Sequence, residues 1–224
     1  MGEMITLTAS DGHELAAYRA APTGDTKAGL VVIQEIFGVN SHMRDVCDRY
    51  AAEGYLAIAP AIYDRVERGV ELGYTPNDMT AGREFRAGCD LDLVIKDVAA
   101  AAEAARAGGK VGIVGYCWGG SVVYVSCCRL PGHIDAGVGY YGGQIIPHLQ
   151  ERPGAPVMLH FGELDKSIPL DDIEKIRTSR PEVQIFVYEG ADHGFNCDQR
   201  GQYHESTAKL ALSRTLPFFE ENLT

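Results

Sequence analysis

The stretch KVGIVGYCWGGSVVYVSCC, from Lys110 to Cys128, decides how the rest of the chain is read. It opens as a short apolar run, breaks at Gly115-Tyr116-Cys117-Trp118-Gly119-Gly120 and continues in helix-like sequence. This is the spacing of the Gly-x-Ser-x-Gly nucleophile elbow, with sulfur in place of oxygen. So sharp a turn between a buried strand and a helix strains the backbone of its central residue, and the flanking glycines keep side chains out of the corner. The Cys117 sulfur would stand at a helix N-terminus, where unpaired N–H groups and the positive dipole end favour thiolate. A free cysteine is more often a small buried hydrophobe, so the partners must decide.

Working outward, short and nearly continuous apolar runs recur from Leu30 onward: LVVIQEI, YLAIAP, KVGIVGY, AGVGYYG, PVMLHFG and VQIFVYEG. Runs of this kind are strands buried on both faces. Helix-like sequence lies near 42–53, 81–107, 118–129, 170–179 and 206–221, so strand and helix alternate and predict a mostly parallel sheet of about 7–8 strands with helices on both faces. ITLTAS and ELAAYRA flank Asp11-Gly12 and predict an N-terminal hairpin with a tight type I′ turn. With 224 residues, 46% of them apolar, and no interdomain linker or repeat, residues 1–224 are expected to form a single domain without a large cap.

In open α/β sheets the reactive groups gather beyond the carboxyl ends of the strands. PVMLHFG runs into Glu163-Leu164-Asp165, and VQIFVYEG runs into Ala191-Asp192-His193. Nucleophile, acid and histidine therefore appear in the order Cys117, Asp165, His193, each after its own strand. Asp192 is a rival acid, but neighbours on a turn rarely aim at one another. His160, inside an apolar run, reads as a core histidine. An acyl-transfer site also needs N–H donors for the oxyanion: Trp118 follows the nucleophile, and Ile36, or its neighbour Phe37, follows the run LVVIQEI. Glu35 is a carboxylate at the end of a buried strand, costly unless paired or turned to the site.

Composition narrows the function further. The six cysteines include no Cys-x-x-Cys pair and no ligand spacing with histidine, which points away from zinc or a disulfide framework and suggests cytosolic thiols. A net charge of −11 without a Lys/Arg cluster disfavours nucleic acid and anionic membranes as partners. With no signal peptide and no long apolar window, a cytoplasmic protein is expected.

Taken together, Gln34-Glu35-Ile36-Phe37-Gly38-Val39-Asn40, the cysteine elbow, Gly139-Tyr140-Tyr141-Gly142, Gly162-Glu163-Leu164-Asp165 and Gly190-Ala191-Asp192-His193-Gly194-Phe195 resemble the motifs of the dienelactone hydrolase family, over nearly the whole chain. The resemblance implies an α/β-hydrolase fold and a Cys117, His193 and Asp165 triad that opens small lactones or esters without metal or organic cofactor, in a monomer or small homo-oligomer. It also implies that Glu35 contacts the resting thiol, and it puts Phe37 and Tyr141 near the substrate. Family members acting on dienelactone grip its carboxylate with two arginines. The second of these positions is Cys197 here, and the first falls near Met79, so Arg83, Arg86 and Arg200 are the candidate replacements. The alternative is a ligand-binding or redox-sensing protein on the same fold, but no triad member is missing and no resolving cysteine is evident.

Overall fold

Eight strands, β1 (Glu3–Thr8), β2 (Glu14–Ala20), β3 (Ala28–Ile33), β4 (Tyr55–Pro60), β5 (Val111–Tyr116), β6 (Ala136–Tyr140), β7 (Val157–Gly162) and β8 (Gln184–Tyr188), form one sheet in the computed structural model, which describes residues 2–224. Their order is β1-β2-β4-β3-β5-β6-β7-β8. From β4 to β8 the neighbours are parallel, while β1 and β2 join antiparallel at one edge. Every residue of β3 to β7 is buried, which is why these strands read as apolar runs without alternation. This is the expected α/β-hydrolase arrangement.

Helices cover both faces. The helices α3 (Leu91–Ala105) and α4 (Trp118–Arg129) pack side by side on one face. On the other, α1 (Ser41–Ala52) and α6 (Glu205–Leu223) meet over Tyr55, whose ring lies edge-on to Tyr50 and Phe219. The helix α5 (Leu170–Ser179) follows β7. No described helix is long and apolar enough to cross a membrane.

Two local expectations are corrected. The hairpin does not close in a two-residue turn: the connection spans Ala9–His13, closed by Ala9 N–H donating to the His13 carbonyl at 2.8 Å, and Gly12 alone carries the positive φ of +83°. The helix expected over 81–107 is two helices, α2 (Pro76–Ala87) and α3. Thr75 and Asp78 form a reciprocal capping box around Pro76, and Asp90 caps α3 by accepting from Asp92 N–H. These caps satisfy N–H groups that a continuous helix would not leave free, so the break at Gly88 to Asp90 is stable.

The excursion between β4 and α3 carries α2 and is fixed to the body of the domain by Arg65. Its Nη2 lies 2.7 Å from Oδ1 and its Nε 2.8 Å from Oδ2 of Asp97, a fully buried carboxylate on α3. A bidentate fork of this kind is what makes a buried carboxylate tolerable.

Candidate active site

The corner after β5 is as strained as its sequence demands. Cys117 has φ 55° and ψ −121°, a region that L-residues rarely enter, and α4 starts at the next residue. A Cβ on Gly115 would lie 2.3 Å from the Gly119 carbonyl oxygen, and one on Gly119 would lie 2.5 Å from that of Gln34. Only glycine lets α4 descend this close to β3 and β5.

Asp165 lies in the loop after β7, 3% exposed, with its Oδ1 accepting from Ser167 N–H. Its Oδ2 is 2.6 Å from Nδ1 of His193, which follows β8. Asp192 faces elsewhere: its Oδ1 accepts from the His193 backbone N–H at 2.6 Å, so the rival acid is engaged by the main chain. The ring of Tyr141, with φ 40°, packs on the imidazole at 5.1 Å between centroids. Burial works against a charged His193, yet hydrogen bonds with Asp165 and Cys117, and their charges, outweigh it and raise the imidazole to about 10. Burial pushes other thiols up, Cys89 and Cys128 to about 11 and Cys197 to about 12, and pushes the core His160 down to about 3.

The raised imidazole makes a direct prediction. In a histidine-observed NMR titration, His193 is expected to remain an imidazolium well above pH 8 and to lose its proton near 10, whereas His160 stays neutral throughout. Because the folded value exceeds the unfolded value of 6.5, the stability it contributes is complete below 6.5 and is lost as pH rises toward 10. A His193 midpoint near 6.5 would refute the coupling to Cys117 and Asp165.

Cys117 and His193 open onto a cavity of about 410 Å³, also lined by Ile36, Phe37, Trp118, Arg83, Arg86 and Arg200. Gln144, Ser167 and Gln202, which the sequence does not single out, line it from loops whose approach no local motif signals. Two expected residues stand elsewhere. Tyr141 is fully buried behind His193 and does not line the cavity, and its hydroxyl has no hydrogen-bond partner among the described residues. Glu35 is 1% exposed and pairs with Arg200, Nη1 to Oε1 at 3.3 Å; no hydrogen bond joins it to the thiol. A buried carboxylate needs a counter-charge, and the guanidinium, itself packed over the Phe37 ring at 5.6 Å, supplies it. No group of three or more metal-ligating side chains gathers among the described residues.

The sequence matches the Dienelactone hydrolase family over residues 15–223. A Synechocystis sp. protein provisionally named a carboxymethylenebutenolidase is 38% identical, with 94% of this chain and 93% of that protein covered. The carboxymethylenebutenolidase of Pseudomonas putida is 32% identical over 96% of this chain and 95% of its own. A crystal structure from Klebsiella pneumoniae, provisionally named a dienelactone hydrolase, superposes with a TM-score of 0.82 at 34% identity, covering 97% of this chain and 98% of that one. The chain thus belongs to the dienelactone hydrolase family and is a hydrolase of the lactone and ester class.

Proposed function

We propose that this hydrolase opens small lactones and esters by acyl transfer through Cys117, with His193 as its acid and base and Asp165 as the group that orients and charges the imidazole. The carrying observation is that side chains from three strand ends converge: Asp165 lies 2.6 Å from Nδ1 of His193, and His193 and Cys117 line the same cavity. An imidazolium held up to about 10 is the counterion that a reactive thiolate requires.

In this mechanism the thiolate forms a C–S bond to the substrate carbonyl carbon and the carbonyl π pair moves onto oxygen. That oxyanion faces Trp118 N–H, the first residue of α4 with no acceptor one helical turn back, and the Ile36 N–H, both residues lining the cavity. The pair returns, the C–O bond breaks, and the leaving oxygen takes the proton of His193. Neutral His193 then removes a proton from water as it attacks the thioester, and the returned proton and thiolate restore the start. Glu35 enters this scheme through Arg200 rather than through the sulfur.

Rapid quench after mixing with p-nitrophenyl acetate, followed by mass spectrometry of the denatured protein, is expected to find one acetyl group, on the peptide that holds Cys117. Turnover of the ester with no acyl group ever trapped on that peptide, in rapid-quench or steady-state samples, would count against covalent catalysis. A non-catalytic binding protein would turn over nothing.

A further inference from the structure

A second cavity, of about 140 Å³, lies between α1 and α6 and shares no lining residue with the first. Tyr116 and Tyr140, at the ends of β5 and β6, line it together with Tyr50 of α1. None of the three is more than 4% exposed, and burial holds each phenol well above its ordinary range, so the hydroxyls stay protonated.

Each hydroxyl brings one hydrogen, and a buried hydrogen without an acceptor is costly. The Tyr50 and Tyr116 hydroxyls lie 3.3 Å apart and neither bonds to any other described residue, so two hydrogens serve one contact and one is spare. The second set is a chain. The Tyr188 hydroxyl is 2.9 Å from Nδ1 of His160, Nε2 of His160 is 3.1 Å from Thr215 Oγ1, and Thr215 Oγ1 is 2.7 Å from the Tyr140 hydroxyl. His160 is held neutral by burial and carries one ring hydrogen, so four hydrogens serve three contacts and again one is spare. Its place follows from the ends of the chain. Arg214, its guanidinium 5.2 Å from the Tyr188 ring centre, offers that end no acceptor, so Tyr188 donates to Nδ1 and Nε2–H donates to Thr215. Thr215 is fully buried and donates to Tyr140, which leaves the spare hydrogen on Tyr140 at the cavity wall. Two hydroxyl donors without acceptors, one from each set, therefore belong to residues that line one cavity.

We infer that this cavity is a second ligand site, for a neutral phenol-class molecule: one aromatic ring whose oxygen accepts from the two spare donors. Its size is that of a cavity of about 150 Å³ that admits benzene. Its walls are the tyrosine rings with Val46, Ala208 and Leu212, which suit an aromatic body. An anion is disfavoured by the charges around it. Arg49 and Lys209 are already met by Asp198 and Glu205, whereas Glu53, also in the lining, has no counter-charge among the described residues. Asn196 and Tyr203, which complete the wall, belong to the loop that follows His193, so the site sits beneath the segment that carries the active-site imidazole.

The test is an NMR titration of the full chain with phenol, benzene and benzoate, which share one ring and differ in the oxygen. Phenol is expected to show nuclear Overhauser contacts to the methyl groups of Val46 and Leu212 and to bind about tenfold tighter than benzene, the ratio for one hydrogen bond to a buried donor. Benzoate is expected to bind more weakly than phenol. Tyr140→Phe keeps the ring and removes one donor, so phenol affinity should fall by about threefold or more while benzene affinity holds. Tyr50→Phe/Tyr116→Phe/Tyr140→Phe should bind phenol and benzene alike. Equal affinities in the wild type, tighter binding of benzoate, a preference for phenol that survives the triple substitution, or no binding up to the solubility of phenol would each overturn the site. So would contacts only to the methyl groups of Ile36 and Met79, which line the catalytic cavity. If the triple variant does not fold, the ratio in the wild type and the response of Tyr140→Phe decide.

Discussion

Cys117→Ala is expected to yield a folded protein whose kcat/KM for p-nitrophenyl acetate has fallen by about 10⁴-fold or more, since the nucleophile is gone and only the oxyanion donors and binding contacts remain. The fold survives because the change removes one sulfur from a half-buried position at a cavity wall and leaves no enclosed void. The strained φ of 55° is imposed by the packing of Gly115 and Gly119 and is no harder for alanine than for cysteine. Cys117→Ser should be severely impaired rather than active, because a hydroxyl ionises far less readily than a thiol and needs a stronger base to become a nucleophile. Initial rates alongside thermal melts check both; alanine-variant turnover above about a hundredth of wild type would refute the nucleophile.

The second large effect concerns Glu35 and Arg200. Arg200→Ala strands a carboxylate that is 1% exposed and whose Oε2 already lacks a partner, and breaking such a buried pair typically costs about 3–5 kcal/mol. Glu35→Gln keeps the shape and leaves Arg200, which lines the cavity and can be solvated there, without its carboxylate, so it should cost less than Arg200→Ala. Arg200→Met combined with Glu35→Leu should recover most of the loss, because no charge then stays buried without its partner. Urea denaturation of the three variants measures this. A loss below about 1 kcal/mol for Arg200→Ala would mean that solvent reaches Glu35 and that the pair does not hold the cavity wall.

Much of this architecture is legible in the sequence because it is local. The buried parallel strands announce themselves as apolar runs, and the elbow glycines are forced by contacts within a few residues of Cys117 or with the neighbouring strand. Strand order alone places Asp165 and His193, and their 2.6 Å contact comes from β7 and β8 being neighbours in the sheet. The features that stay hidden are non-local or masked. The Glu35–Arg200 pair joins positions 165 apart in sequence, and no spacing rule anticipates it. The break between α2 and α3 carries its own signals, Gly88 at the end of α2 and the Asp90 cap of α3, but helix formers on both sides obscure them. The motif around Tyr141 puts it at the substrate, whereas its positive φ turns it under His193 and into the core.

The sheet order also bears on how the protein opens. The strand before Cys117, β5, lies near the middle of the sheet, while His193 hangs from the end of β8, which has a neighbour on one side only and is the least buried of the parallel strands. Edge elements with few buried contacts exchange their amide hydrogens through low-energy local openings, long before the centre does. Each such excursion would carry the imidazole away from a sulfur that stays where it is. Under mild stress the molecule would therefore lose its chemistry while keeping its shape, and the equilibrium between closed and frayed β8 would set the fraction of molecules competent to react at any instant.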